Sequence, residues 1–301
     1  MLTFIPFSEY CRQVKDAGGK VTFPASDERF CDLTPGNLLV WEDYLSSCCA
    51  EENGRLYLRF RRLDGSVCHM TADGRITEED ISRLAEAARA AGIALRLFPL
   101  SPARAKGLAD ARGGCVSSVS GTADYLYDTE ALSTFRGHRY NGQRNHINKF
   151  LSLFADWSCL PAAEVDPDLL AAFLDSYFDS TVVGAPAHEA EHAATRRLLS
   201  LPDVGGMCAD VLLADGRPVA MAMGEVQGDT LYVHVEKAFR EVPGAYQMIV
   251  REFTARHTGD GVRYVNREED DGNEGLRTAK EALHPAAVLE KCEWLAAERD
   301  A

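Results

Sequence analysis

Apolar and polar positions follow two periods along this chain. In LYLRFRR, residues 56–62, Leu56, Leu58 and Phe60 alternate with Tyr57, Arg59 and Arg61, the period of two expected of a half-buried strand. The apolar runs at 37–41 (NLLVW), 67–70 and 94–98 (ALRLF) predict further strands, and Asp64-Gly65 is a hairpin turn signal. Residues 77–91 predict a helix: Thr77 can cap it, Asp80 stands three residues on, acids fill the first turn and Gly92 closes it. A short helix is predicted over 103–111.

The same order returns in the second half. Helices are predicted near 167–180 and 188–200, followed by DVLLADGRPVAMAMGEV, two apolar runs joined at Asp215-Gly216. A strand at 231–236, a helix at 245–257, a strand at 263–266, a helix across NEGLRTAKEAL and a last strand over 286–294 complete the pattern. Each half runs hairpin, strand, helix, strand, helix. This implies an α+β fold made by internal duplication, with domains 1–130 and 131–301, the second carrying the main motifs.

Near the middle lies RGHRYNGQRNHINKF, residues 136–150. Ile147, Phe150, Leu151 and Phe154 recur at i, i+3, i+4 and i+7, so a helix with one buried face is expected. Arg136, Arg139 and Arg144 fall at its solvent-facing, N-terminal end. Composition sharpens this segment's meaning. The chain carries 46 acids and a net charge of −14, yet no acid occurs from 131 to 155. Arginine stems over apolar neighbours would explain a solvated face. Unpaired arginines repel unless an anion lies nearby, and their forks suit phosphate, which points to a nucleotide, tRNA or a phospholipid headgroup.

At 301 residues the chain can form two domains, with 46% hydrophobic and 26% charged residues. No apolar run nears the roughly 20 residues that span a bilayer, and no signal peptide is expected. Nine scattered cysteines without CxxC spacing favour reduced thiols in a cytoplasmic protein and give no zinc signature.

Two further stretches carry candidate chemistry. NREEDDGNEGLR, 266–277, places Asn266 and Arg267 at a strand end, four carboxylates from Glu268 to Asp271, and Asn273 as a helix cap. The helix dipole accounts for part of this acidity, the EF-hand pattern does not fit, and two of the carboxylates could take magnesium though nothing in the stretch demands a metal. In VHVEKAFREVPGAYQ, 233–247, Glu236 and Lys237 stand just past a strand. A lysine there can stabilise an oxyanion or form an ordinary surface ion pair. His188 and His192 are not an HExxH pair, and no GxSxG, Walker or GxGxxG motif has a suitable setting.

The stretches 125–150, 233–253 and 264–285 resemble soluble relatives of the phosphatidylglycerol lysyltransferase C-terminal domain. The resemblance covers about 120–290. It implies two tandem GNAT-like (acyl-CoA N-acyltransferase) units, as in Fem-type aminoacyltransferases, and transfer of an acyl or aminoacyl group to an amine or hydroxyl. REVPGAYQ lacks the RxxGxG/A form of an acetyl-CoA turn, which leans toward aminoacyl-tRNA over acyl-CoA as donor. The implied acceptor is a small molecule or lipid headgroup. Lys237 would serve the oxyanion or a donor phosphate, and Glu268 or Glu269 would take the acceptor's proton. Asn266, Asn273 and Arg277, with Glu236, Tyr246, Gln247 and Asp270, would shape the substrate pocket. Arg136, Arg139, Arg144 and Asn145 would hold the donor's phosphates. The competing expectations are a non-catalytic GNAT-like module that binds phosphate or tRNA, and an acetyl-CoA-dependent N-acetyltransferase.

Overall fold

The computed structural model describes residues 1–62, 64–180, 186–199, 206–259 and 261–297. The chain begins with β1 (Ile5–Pro6), α1 (Phe7–Asp16), α2 (Pro35–Val40), α3 (Glu42–Leu45), β2 (Cys48–Glu52), β3 (Arg55–Arg61) and β4 (Val67–Thr71). It continues with α4 (Glu78–Ala90), β5 (Arg96–Leu100), α5 (Pro102–Arg112) and β6 (Cys115–Ser118). The second unit opens with β7 (Asp124–Asp128), α6 (Thr129–Thr134), α7 (Asn141–Leu153), β8 (Trp157–Pro161), α8 (Pro167–Ser180) and α9 (Pro186–Leu199). Then come β9 (Met207–Ala214), β10 (Arg217–Gln227), β11 (Thr230–Ala238), α10 (Ala245–His257), β12 (Tyr264–Asn266), α11 (Glu274–Glu281), β13 (Ala287–Leu289) and β14 (Cys292–Leu295).

Two seven-stranded sheets result, in the orders β1-β2-β3-β4-β5-β14-β6 and β13-β7-β12-β11-β10-β9-β8. In each, an antiparallel meander leads through one helix into a parallel strand, β4–α4–β5 and β11–α10–β12. The fold is thus α+β, with two GNAT-like units in tandem. Both parallel pairs open after a short contact. β4 meets β5 at His69–Leu97, and β11 pairs with β12 only from Thr230 to Tyr232 before running on to Ala238 paired with β10 on its other edge.

The alternating and capped segments fold as expected. Thr77 and Asp80 form a reciprocal capping box on α4. Three expectations are corrected. Residues 37–41 lie largely in helix α2, because the Thr34 hydroxyl accepts from Asn37 N–H and Pro35 occupies the first turn. That helix is buried nearly all round, so its apolar run carries no period to distinguish it from a strand. The single strand expected over 286–294 is two strands in different sheets, parted by the buried Lys291. On α7, Ile147 and Phe150 are buried but Leu151 is exposed.

Sheet membership also crosses the expected boundary at 130. β7 precedes it yet belongs to the second sheet, and β14 returns from the far end of the chain to the first. The units share a core. Val211, Met221, Met223 and Val235 pack with the first unit's apolar residues, while Leu212, Ala220, Ala222 and Val233 pack beneath α7 and α10. Burial on both faces explains why β10 reads as a continuous apolar run.

Candidate functional site

Where β11 and β12 part, the chain places a dense set of charges against the first unit. His234, on β11 just past its last pairing with β12, lies between two carboxylates. Its Nε2 is 2.9 Å from Glu225 Oε1 on β10 and its Nδ1 is 2.7 Å from Glu268 Oε1. The His234 and Glu225 side chains are each 1% exposed. Burial alone would lower the imidazole pKa, but hydrogen bonds and charge from both carboxylates outweigh it and raise it to about 10. His234 is therefore an imidazolium at neutral pH.

The first unit completes this group. Gly36 N–H donates to Glu225 Oε1 at 2.7 Å and Asn37 Nδ2 to Glu268 Oε1 at 3.3 Å. Glu268 itself has a left-handed backbone, φ 58°. The conformation is held from three sides. Asn266 Oδ1 accepts from Glu268 N–H at 2.7 Å, Tyr125 N–H donates to the Glu268 carbonyl at 3.2 Å, and buried Lys280 donates to the carbonyls of Arg267 and Glu268. Burial, then the charge of Arg267, lowers the Lys280 pKa.

Glu269 turns to a second charge group. Lys291 Nζ is 2.5 Å from Glu269, 2.5 Å from Asp32 and 2.8 Å from Asp124, with Cys31 Sγ at 3.5 Å. One ammonium thus faces three carboxylates in a buried space. Burial first, then Asp32 and Asp124, hold the Glu269 pKa well above its usual range against the pull of Lys291. Cys31, Asp124 and Glu269 place ligand-type atoms within 4.8 Å of one another, the donor set among the described residues that could hold a metal. Asn266 ties into this group, donating to Asp124 at 2.9 Å and to the Arg29 carbonyl at 2.7 Å.

Arg267 fills the gap between the parting strands. Its Nη2 donates to Glu236 and to the Tyr246 hydroxyl, and the guanidinium lies 5.7 Å from the Tyr127 ring centroid and 5.6 Å from that of Tyr246. Its Nε and Nη1 are buried without an acceptor among the described residues. Nearby on β11, Lys237 pairs with Glu191 at 2.5 Å and lies over the rings of Tyr177 and Phe178.

The remaining expected residues are placed as follows. Asp270 accepts from Arg277 at 2.8 Å and from Tyr125 at 2.7 Å, and the Arg277 hydrogen bond draws its pKa down to about 2. Asn273 caps α11 by accepting from Gly275 and Leu276 N–H. Gln247 is half-buried on the first turn of α10. The arginine segment lies elsewhere along α11, since Gln143 donates to the Ala282 carbonyl and His284 meets the Arg139 carbonyl, both beyond the helix's C-terminal end. Arg144 clamps the carbonyls of Phe135 and Gly137, Arg139 lies over Tyr140, Arg136 is exposed 3.7 Å from Glu130, and Asn145 is exposed.

Comparison with known proteins places this arrangement. The family described as phosphatidylglycerol lysyltransferase, C-terminal, matches residues 25–292. The chain belongs to that family. It is similar to a conserved protein of unknown function from Bacteroides thetaiotaomicron, with TM-score 0.82 and 26% identity over 99% of this chain and 100% of that one. The C-terminal domain assigned to lysylphosphatidylglycerol synthetase in Agrobacterium fabrum shares the fold at TM-score 0.62 and 16% identity, over 98% of this chain and 93% of that one. L-PGS from Bacillus licheniformis does so at 0.59 and 12%, over 96% and 92%. No curated protein matches the sequence. Among the described residues of this family member, no helix is long and apolar enough to cross a membrane.

Sequence reasoning missed His234, Glu225, Asp124, Lys280 and Lys291, and gave Arg267 no role of its own. One signal was available. Glu225 is an acid inside an otherwise apolar strand, and such a residue needs a buried partner. Nothing local to the sequence announces Lys291 or Asp124, whose partners lie far away along the chain.

Proposed function

We propose that this chain transfers an aminoacyl group from the 3′ ester of a tRNA to an amine or hydroxyl acceptor. The observation that carries this reading is Arg267. Two guanidinium nitrogens without an acceptor among the described residues, buried between the parted strands, suit the oxyanion that develops on an ester carbonyl under attack. The new bond forms between the acceptor's nitrogen or oxygen and the carbonyl carbon, and the ester C–O bond breaks. The acceptor's proton passes to Glu268 or Glu269 and then to the departing ribose hydroxyl. Because His234 is already an imidazolium, its part is to orient Glu268 through its Nδ1–H. Lys237 would steady a donor phosphate or the leaving oxygen, and exposed Arg136, Arg139 and Asn145 would hold the tRNA backbone, with Arg144 keeping that loop in shape. Glu236 and Tyr246 orient Arg267.

Membership in the lysyltransferase family supports aminoacyl transfer. The turn before α10 supports tRNA over acyl-CoA. Its one glycine, Gly244, is required by packing, since a Cβ there would collide with the His146 carbonyl. It is therefore not part of a glycine-rich pyrophosphate cradle. The test incubates purified protein with charged total tRNA, or with acyl-CoA, and a panel of amine and lipid-headgroup acceptors. Product from charged tRNA is expected, falling by about 10²–10³ in Arg267→Lys. Product from acyl-CoA alone would overturn the donor assignment, and full activity in the variant would remove Arg267 from the chemistry.

A further inference from the structure

The first unit holds a cavity of about 350 Å3, at the small end of the range for ligand sites. Its walls are the turn from β4 into α4 (Gly74, Arg75, Ile76), the end of β5 (Leu100) and α5 (Arg104, Gly107, Leu108). It thus lies beyond the short parallel contact of β4 with β5, the counterpart in this unit of the opening between β11 and β12. Ligands favour such carboxyl ends of parting strands. None of its residues belongs to the site described above.

Gly107 is the informative wall residue. It sits inside helix α5, where glycine costs about 1 kcal/mol relative to alanine. A Cβ at this position would meet no atom within 4 Å. Packing within the chain therefore gives no reason for glycine, whereas close approach of a ligand to backbone does. The polar end is supplied by two arginines. Arg104 is oriented by Glu28 at 2.6 Å from Nε and by the Gly74 carbonyl at 2.5 Å from Nη1. Arg75 meets Asp27 at 3.3 Å with both side chains mostly exposed, a pair that contributes little and exchanges readily for another anion. Ile76, Leu100 and Leu108 supply the apolar part.

We propose that this cavity is a second ligand site, distinct from the transfer site, for a small amphiphile. A carboxylate or phosphate head would rest on Arg75 and Arg104, and a short apolar body against Ile76, Leu100 and Leu108. Hexanoate and hexyl phosphate, titrated into the full chain by calorimetry, probe the two head groups. Saturable binding of either supports the site, and the stronger ligand identifies the head. Gly107→Leu, which has open space for its side chain, should stay folded and weaken binding at least about tenfold. Gly107→Ala should fold at least as stably as the parent. Failure of both probes to saturate at millimolar concentration, or undiminished binding in folded Gly107→Leu, would overturn the proposal.

Discussion

Replacing Gly36 by alanine tests how tightly the first unit is keyed to the charges of the second. In an ordinary helix the change gains about 0.5–1 kcal/mol. Here the new Cβ would sit 2.7 Å from Glu225 Oε1, 2.6 Å from His234 Cδ2 and closer still to His234 Nε2. Neither side chain can give way, because both are 1% exposed and His234 is held from both ring nitrogens. Overpacking costs about 1–3 kcal/mol. If the clash instead separates His234 from Glu225, breaking a buried ion pair costs about 3–5 kcal/mol. After subtracting the helix gain, the loss is up to about 2 kcal/mol by overpacking and about 2–4 kcal/mol if the pair is broken, the expected outcome. Over a chain of this length that lowers Tm by roughly 5 °C. Calorimetry measures the loss, and NMR titration of His234 should show its pKa falling from about 10. A Gly36→Ala protein as stable as its parent, with an unchanged His234 titration, would refute the reasoning.

Two histidines should shape stability at opposite ends of the pH range. The folded-state pKa of His234 is raised, so its contribution, up to roughly 5 kcal/mol, is complete below pH 6.5 and is lost as pH rises through about 10. Glu268→Gln should flatten that alkaline loss in urea melts. Burial first, then Arg59, lowers His69 to about 4, so its contribution is present above pH 6.5 and is lost between 6.5 and 4. His69→Phe should blunt the acid limb of the same curve. Lys291→Met leaves Asp32, Asp124 and Glu269 buried around no cation, so the variant should be destabilised by at least about 3 kcal/mol at pH 7 and recover in part under mild acid, as circular dichroism can follow. Asn273→Ala removes the α11 cap and should cost about 1 kcal/mol in Tm terms, whereas a fall in transfer without loss of stability would assign Asn273 to substrate.

Much of the fold was legible wherever a local rule operated. The 56–62 alternation and the Thr77–Asp80 box each depend on residues a few positions apart. The 37–41 segment misled because burial on every side erases the periodicity that separates helix from strand. The candidate site was legible only in part. Glu268 and Glu269 stood out as acids at a strand end, yet their partners His234, Asn37 and Lys291 are distant in sequence. The arginine segment was read for its lack of carboxylates. Arg144 shows the other way to satisfy a guanidinium, through the carbonyls of its own loop.

The placement of β14 has a consequence for biosynthesis. This strand lies between β5 and β6, pairing with both, although it is made almost 200 residues after β5. While the ribosome is still working, those two strands face each other across an empty slot and expose unpaired edges. The first unit to emerge is therefore among the last to be completed. A nascent chain arrested before residue 292 should present a sticky, open sheet that invites a chaperone or a neighbouring polysome product.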